Sequence, residues 1–176
     1  MKRLADIIIS AIALIFIAPI IAVFAILIKR DSKGPVFYRQ ERIGYHHKPF
    51  YIYKLRTMYT NAESSGMPQL SSADDSRITP LGKIMRKYRI DELPQFFNIL
   101  KGDMSFVGPR PERKYFIDKI RKEDPNYDYV YNMRPGLTSR ATLYNGYTDT
   151  MEKMLIRLRM DLEYYRQRSL WVDFKL

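Results

Sequence analysis

Two adjacent carboxylates, Asp91 and Glu92 in the stretch RIDELPQ, are the residues of this sequence best placed for chemistry. They lie at a predicted helix start, where unpaired backbone amides favour the ionised form of an aspartate and can also receive a phosphate. An ionised carboxylate is a competent nucleophile, and a neighbouring glutamate can hold Mg²⁺ or transfer a proton. Asp and Glu are also the ordinary composition of a helix cap and first turn, so that interpretation stays open beside the chemical one.

Basic side chains elsewhere in the sequence could surround a phosphate. Lys54 and Arg56 alternate on a predicted strand and therefore project from one face, which suits a diphosphate. Arg110 lies between two prolines that restrict its backbone, so it is a candidate for a fixed fork on phosphate oxygens. Arg134 in RPG is a weaker case, and Arg89 adjoins the two carboxylates. A solvated strand end and ordinary surface turns are the alternative interpretations of these positions.

The composition favours an anionic partner. The 176 residues carry 30 Lys+Arg and 19 Asp+Glu, a formal net charge of +11, which attracts nucleic acid, anionic lipid headgroups or a phosphorylated substrate. There is no cysteine, so disulfides and thiolate zinc sites are excluded. The two histidines, His46 and His47, are neighbours in a predicted turn. A hard cation such as Mg²⁺, held by carboxylates and substrate phosphates, is the metal that this composition allows.

The first thirty residues contain an apolar segment, Ile7 to Ile28, of 22 residues without a charge. About 20 such residues suffice for a helix to cross a bilayer. Basic residues flank both ends, which favours both ends on the cytoplasmic side, and Pro19 near the middle favours a kink. A helical hairpin that enters one leaflet and returns would satisfy both features. A single span with a tolerated proline is the alternative.

The residues after this segment predict a small α/β domain with short strands and amphipathic helices. Strands at 34–44 and 50–58 flank the turn YHHKP, and the polar stretch 61–76 predicts a mobile loop or lid. A helix begins at Thr79. Its apolar stripe is expected in the core: Leu81, Ile84, Met85 and Tyr88.

Two further helices and a strand complete the predicted domain. The first helix starts with Asp91 as its cap and ends at Gly102, with Phe96, Phe97 and Leu100 buried. Residues 104–107 predict a strand that leads into the turn GPRPE. Residues 151–168 predict an amphipathic helix. Its basic face, which would lie along anionic headgroups or in solvent, carries Lys153, Arg157 and Arg166.

In this order the segments resemble the monotopic phosphoglycosyl transferases, the bacterial sugar transferase family. The resemblance rests on KRLADIIIS, GPVFYRQERIG, KLRTM, RPGLT and above all the 21-residue block DELPQFFNILKGDMSFVGPRP. It implies transfer of a sugar-1-phosphate from a UDP-sugar to undecaprenyl phosphate, with release of UMP. It also implies a re-entrant helix over 1–30 broken at Pro19, a cytoplasmic catalytic domain over 31–176, and a location at the bacterial inner membrane.

The resemblance assigns roles to the candidate residues. Asp91 would attack the sugar-bearing phosphate to give a covalent aspartyl-phosphosugar intermediate, and Glu92 would bind Mg²⁺. The basic residues expected around the phosphates and nucleotide are Lys54, Arg56, Arg89, Arg110 and Arg134. This chain departs from the family pattern at Ala18, where relatives often have serine before the kinking proline. It departs again at SRATLYNGYTD, which follows RPGLT and bears on nucleotide or sugar selection.

Two other functions compete with this one. The charge of +11 and fourteen tyrosines would suit a membrane-tethered nucleic-acid-binding module. The chain lacks a recognisable RNA-binding signature, and we therefore expect no nucleic acid partner. An inactive scaffold of the same fold is the other alternative, and the intact pair of Asp91 and Glu92 argues against it.

Overall fold

The computed structural model describes residues 1–62, 75–146 and 150–176. Most of the loop or lid predicted over 61–76 lies outside the described residues, as do the last residues of SRATLYNGYTD. Over the described part, helices and short strands are mixed behind a long apolar N-terminal helix, which confirms the coarse α/β prediction. Six further helices and two separate two-stranded sheets follow that helix among the described residues.

The first helix, α1 (Lys2–Asp31), runs without interruption through Pro19. Of the helices that the structure describes, it alone is long and apolar enough to cross a membrane, by length and composition. Its middle is not a protein core, since Ile15 and Phe16 are 72% and 69% exposed.

Both ends of α1 contact the same domain. Near the start, Lys2 donates to the Val107 carbonyl oxygen at 2.8 Å. The buried carboxylate of Asp6 accepts from the Ser105 hydroxyl and the Phe106 amide, each at 3.2 Å. Near the other end, Ile28 packs in a buried cluster with other apolar side chains: Leu55 and Met85.

A β-hairpin follows, with β1 (Phe37–Ile43) antiparallel to β2 (Pro49–Leu55). Tyr38 lies opposite Lys54 in the register. The turn at Tyr45–His47 is a single 3-10 turn in which both histidines adopt positive φ. The predicted strands and turn are confirmed, although each strand is shorter than its apolar pattern suggested.

Helix α2 (Pro80–Lys87) begins as predicted. The Thr79 hydroxyl accepts from the Gly82 amide, and proline occupies the first turn, where no helical donor is lost. The expectation that its whole apolar stripe is core is wrong. Met85 is buried, but Ile84 and Tyr88 are 53% and 65% exposed, because the domain covers only one side of this short helix.

Helix α3 (Gln95–Lys101) is preceded by a 3-10 turn at Ile90–Glu92. Asp91 therefore lies inside that turn and does not cap α3, whose N-cap is Pro94. Gly102 ends the helix at φ +103°, as predicted for a left-handed C-cap.

The buried face of α3 was predicted wrongly. Phe97 is half exposed and Phe96 and Leu100 are only partly buried, whereas the buried residues are Gln95, Asn98 and Ile99. The polar face turns inward because the Asn98 side chain accepts from the Tyr53 amide at 3.0 Å and donates to the Tyr51 carbonyl at 2.7 Å. These bonds tie α3 to β2.

Strand β3 (Ser105–Val107), predicted from MSFV, pairs in parallel with β4 (Gly136–Thr138). The backbone just after β3 approaches the backbone just before β4 closely. A Cβ on Gly108 would lie 2.3 Å from the Arg134 carbonyl oxygen, so only glycine fits there.

Five helical segments follow β3, and the first, second and fourth of them form the largest hydrophobic cluster among the described residues. They are α4 (Lys114–Glu123), a 3-10 segment (Pro125–Asn132), α5 (Arg140–Tyr144), α6 (Met151–Gln167) and α7 (Leu170–Lys175). Helix α6 confirms the prediction over 151–168, and its Met154 and Leu158 pack with Ile117 and Ile120 of α4. Arg157 was expected on a face toward headgroups or solvent, which is wrong. It is 3% exposed, because it pairs with the buried carboxylate of Glu112.

Candidate active site

The turn that carries Asp91 and Glu92 is positioned by α2. The start of α2 lies against the chain just after β2, where the Thr79 amide donates to the Thr57 carbonyl oxygen at 3.0 Å. A Cβ on Gly82 would lie 2.1 Å from that oxygen, so glycine permits the contact. Arg89 then adopts a left-handed conformation, φ +56°, and reverses the chain into the turn. Both carboxylates end up facing the last residues of β2, including Lys54.

Glu92 is held by three cations. Its Oε1 lies 2.7 Å from the Lys54 amine and 3.6 Å from the Arg110 guanidinium, and its Oε2 lies 3.2 Å from Arg89. Burial opposes ionisation, but Lys54 and Arg110 outweigh it, and the pKa of Glu92 lies well below its usual range. The glutamate is therefore a fixed anion that holds three basic side chains around one point.

Asp91 is in a different state. It is 7% exposed, and its carboxylate makes no hydrogen bond or ion pair with any residue in the described part of the chain. Burial raises the pKa of Asp91, and the nearby Lys54 opposes that shift. The direction is opposite to the one expected for a helix cap, because burial outweighs the attraction of the nearby cations, Lys54 first among them. Asp91 is the carboxylate free to contact a ligand.

A cavity of about 510 Å³ opens on these residues. Among the described residues that line it, the three acids Asp91, Glu92 and Glu112 are outnumbered by basic side chains: Arg42, Lys54, Arg56, Arg77, Arg86, Arg89, Arg110, Arg113 and Arg157. A concave site with this excess of positive charge focuses a field that favours a polyanionic ligand. Its size suits a small molecule.

Arg110 reaches the cavity from a loop that is fixed on both sides. The Pro109 carbonyl accepts from the Gly136 amide at 2.9 Å. The Pro111 carbonyl accepts from Arg42 at 3.1 Å. The proline rings fix the flanking φ angles. The side chain of Arg110 is one-third exposed, and its 3.6 Å contact with Glu92 is long, so it can turn to an incoming anion.

Arg56 has a different role from that of Lys54. Its guanidinium donates to the Pro35 carbonyl at 2.5 Å, to the Ser32 carbonyl and hydroxyl at 2.8 Å each, and to the Lys33 carbonyl at 3.0 Å. These bonds clamp the loop between α1 and β1. Arg56 lines the cavity, but most of its donors are already used by the protein.

The structure does not bring Arg134 to the cavity. Its guanidinium donates to the Gly102 carbonyl at 3.1 Å and lies 5.1 Å from the centre of the Tyr45 ring. Arg134 thus donates a hydrogen bond to a backbone carbonyl at the C-terminal end of α3. Asp91, Glu92, Lys54, Arg89 and Arg110 are brought together, Arg56 lies at the wall, and Arg134 lies elsewhere.

Sequence reasoning missed several residues of the wall. Arg42 lies within GPVFYRQERIG and Glu112 lies just after GPRP, and nothing in either local sequence indicates a charge pair between them. Arg157 was taken for a surface residue because helical periodicity cannot reveal a buried ion pair. Arg86 stands on α2 and donates to the Thr57 hydroxyl at 2.9 Å.

The carboxylates of the cavity could share a Mg²⁺ ion with the phosphates of a bound substrate, but they could not hold the ion alone. The described residues contain no group of three or more His, Asp or Glu side chains that could hold a metal alone. Mg²⁺ commonly takes one or two carboxylates together with substrate phosphates. Glu92 Oε2 can serve, because its partner Arg89 has a half-exposed side chain that is easily released.

An apolar groove of about 750 Å³ adjoins the cavity. Leu14 and Ile21 of α1 form one wall, and Phe97 of α3 forms another. Phe37 and Tyr38 line both the groove and the cavity, so the two spaces share a wall. An amphiphilic ligand could thus lie along α1 with its polar end near the carboxylates.

Comparison with known proteins agrees with this geometry. The family described as bacterial sugar transferase matches residues 1–176. The chain is 44% identical over 172 residues to the UDP-N-acetylgalactosamine-undecaprenyl-phosphate N-acetylgalactosaminephosphotransferase of Aeromonas hydrophila, covering 98% of this chain and 40% of that protein. It is 43% identical over 177 residues to the UDP-glucose:undecaprenyl-phosphate glucose-1-phosphate transferase of Klebsiella pneumoniae, covering 99% and 38%.

A protein of the same name from Caulobacter vibrioides is 41% identical over 177 residues, covering 99% of this chain and 66% of that protein. The chain thus spans about two fifths of the length of the first two relatives. The match to the family nevertheless extends over every residue of this chain. The chain belongs to the bacterial sugar transferase family.

Proposed function

We propose that this chain transfers a sugar-1-phosphate from a UDP-sugar to undecaprenyl phosphate, releasing UMP. The observation that carries the proposal is Asp91, a buried carboxylate without a partner among the described residues, at the wall of a strongly basic cavity. The printed names of the relatives, which combine UDP-sugars with undecaprenyl phosphate, support the same reaction class.

In the first half of the reaction, a carboxylate oxygen of Asp91 attacks the sugar-bearing phosphorus of the donor. The bond from that phosphorus to the bridging oxygen breaks, and UMP leaves with the electron pair. Lys54, Arg89 and Arg110 surround Glu92 at the reacting end, and they would stabilise the charge on the phosphate oxygens and on the leaving UMP. The product of this half is an aspartyl-phosphosugar.

In the second half, an oxygen of the acceptor phosphate attacks the same phosphorus. The acyl phosphate bond breaks, the carboxylate of Asp91 is regenerated, and a polyprenyl-diphosphate-sugar leaves. The groove between α1 and the hairpin supports this step, because an apolar chain lying there would carry its phosphate toward Asp91. Leu14, Ile21 and Phe97 would contact the chain.

Mg²⁺ is the cofactor that we propose, with Glu92 as its protein ligand. When bound with the donor, it would neutralise charge on the diphosphate. For Glu92 to bind it, the half-exposed Arg89 gives up its contact with Oε2 and is free to bind the donor's phosphates.

We also propose that α1, whose helical residues continue through Pro19, bends at that proline and returns to the same side of the membrane, with the catalytic domain on the cytoplasmic face of the bacterial inner membrane. The support is that both ends of α1 contact one domain: Asp6 at β3 and Ile28 beside Leu55 and Met85. A straight spanning helix of 30 residues would be about 45 Å long and would separate its ends across the bilayer.

The reaction is tested with detergent-solubilised protein, Mg²⁺, undecaprenyl phosphate and a panel of UDP-sugars, measuring UMP release. The panel is needed because the relatives' names carry different sugars. We expect release with at least one donor and none in Asp91→Asn. Asp118→Asn is the matched control, because Asp118 is exposed on α4 and pairs with Lys114 at the surface. Turnover in Asp91→Asn equal to wild type would contradict the proposal.

Topology is tested separately by cysteine labelling, since the chain has no cysteine of its own. Leu4→Cys and Lys33→Cys place single thiols at the exposed ends of α1. We expect an impermeant reagent to label both from the cytoplasmic side of membrane vesicles. Labelling from opposite sides would establish a single span and exclude the re-entrant helix.

A further inference from the structure

Three charged side chains meet in the wall of the cavity: Glu112 and Arg157 are buried, and Arg42 is partly buried. The Glu112 carboxylate accepts from Arg157 at 2.8 Å on one oxygen and lies 3.1 Å from Arg42 on the other. Arg42 lies on β1, Arg157 lies on α6, and Glu112 lies on the loop after β3. We call these three residues the charge triad. It joins elements that lie far apart in the sequence.

Holding three elements together with buried charges carries a large desolvation free energy. Removing charges from water costs several kcal/mol per ion, and apolar side chains in such places often give equal or greater stability. Burial opposes the charged forms of all three residues, and their mutual attraction keeps Glu112 ionised. Stability alone therefore does not account for the triad, and its position suggests a second purpose.

That position is next to Arg110. Arg42 donates both to Glu112 and to the Pro111 carbonyl, one residue after Arg110. The Glu112 carbonyl accepts from the Ile43 amide at 3.1 Å. Among the described residues, the Arg110 guanidinium is paired only through its long 3.6 Å contact with Glu92. The backbone that the triad holds therefore sets the position from which the Arg110 side chain extends into the cavity, and the side chain turns from that fixed position to meet an anion.

We propose that the charge triad of Arg42, Glu112 and Arg157 is a positioning device that aims Arg110 at the reacting end of the cavity. The inference rests on the proposed function, because it assigns Arg110 the donor's phosphates. A shift of about 1 Å in a positioned charge can cost on the order of 100-fold in rate. Loosening the triad therefore lowers activity by way of Arg110.

All three triad residues line the cavity, so direct contact of Arg42 or Arg157 with the substrate is the competing explanation. A double-mutant cycle separates the two. If the triad acts through Arg110, a triad substitution has little further effect once the Arg110 side chain is gone. If Arg157 contacts the substrate itself, or if the triad only maintains the fold, its effect is the same with or without Arg110.

The experiment measures kcat and KM for UMP release in wild type, Glu112→Gln, Arg110→Ala and the double variant. We expect Glu112→Gln to lower kcat/KM on the order of tenfold in the wild-type background and by less than about twofold in Arg110→Ala. Equal losses in the two backgrounds would overturn the proposal. Wild-type UMP release in the same assay keeps a failure of this inference distinct from a failure of the proposed function.

A second cycle uses Arg157→Lys, which keeps the charge and so preserves folding if Glu112→Gln does not fold. Lysine is a point charge and lacks the planar fork of arginine, so it holds Glu112 less firmly. We expect a smaller loss than in Glu112→Gln, again confined to proteins that retain Arg110. Arg166→Met, an exposed site on the same helix, is the matched control and should leave kcat/KM unchanged. A loss in Arg157→Lys that persists in Arg110→Ala contradicts the positioning role.

Discussion

Lys54→Met removes the cation that pairs with Glu92 and whose charge also acts on the nearby Asp91. The Lys54 amine lies 2.7 Å from Glu92 Oε1, and the side chains are 19% and 9% exposed. Removing one partner of a buried pair costs about 3–5 kcal/mol. Glu92 keeps Arg89 and Arg110 as partners, so we expect the lower end, about 3 kcal/mol. For a chain of this length that is a fall in Tm of roughly 6–12 °C.

The same substitution changes the pH dependence of activity. Lys54 opposes the burial that raises the pKa of Asp91. Without it that pKa rises further, because the opposite charge that favoured the ionised form is lost. Because Asp91 must be ionised to attack, the acidic limb of the kcat/KM profile should move to higher pH by the same amount.

The assay combines thermal unfolding in detergent with UMP release between pH 5 and 9. Lys48→Met is the matched control, because Lys48 lies in the same hairpin and is exposed. Lys54→Arg retains the charge and should keep the acidic limb near its wild-type position. An acidic limb in Lys54→Met at the wild-type pH, together with an unchanged Tm, would refute the electrostatic account of the site.

Four further substitutions test the stability of the fold, each by thermal unfolding. Burial raises the pKa of Asp161 to about 7, so wild-type stability should fall as pH rises from about 4 to 7. Asp161→Asn should remove that fall and gain on the order of 3 kcal/mol at pH 8, but nothing near pH 4. Thr79→Ala should cost about 1 kcal/mol by removing the cap of α2. Gly108→Ala should cost at least about 2 kcal/mol, because its Cβ would meet the Arg134 carbonyl. Gly146→Ala, with nothing within 4 Å, should cost only the left-handed strain of about 1 kcal/mol.

Local signals predicted the elements of the fold better than their buried faces. The hairpin, the cap at Thr79, the stop at Gly102 and the long helix α6 follow from turn chemistry and periodicity. The buried faces of α2 and α3 do not. An apolar stripe was assumed to face a core, yet Phe97 borders the groove beside α1 and Asn98 faces inward to serve the backbone of β2. The hydrogen bonds from Asn98 to β2 depend on how α3 packs against the hairpin, which the sequence pattern alone does not specify.

The residues of the candidate site also divide into those that the sequence predicted and those that it did not. Asp91, Glu92, Lys54 and Arg110 were predicted as one cluster, and the structure brings them together. The charge triad could not be predicted, because Arg42, Glu112 and Arg157 lie up to 115 residues apart and each is ordinary in its own segment. Arg134 shows the reverse, since RPG resembled a phosphate-binding turn while its arginine ends α3.

The central claim, that Asp91 is the nucleophile, is tested most directly by trapping the intermediate. Protein incubated with the accepted UDP-sugar and Mg²⁺, but without undecaprenyl phosphate, is quenched and reduced with borohydride, which converts an aspartyl phosphate to homoserine. Peptide mass spectrometry should then find homoserine at position 91, dependent on the donor, and none in Asp91→Asn. Homoserine at another acidic position, or UMP release under these conditions with Asp91 unmodified, would contradict the account.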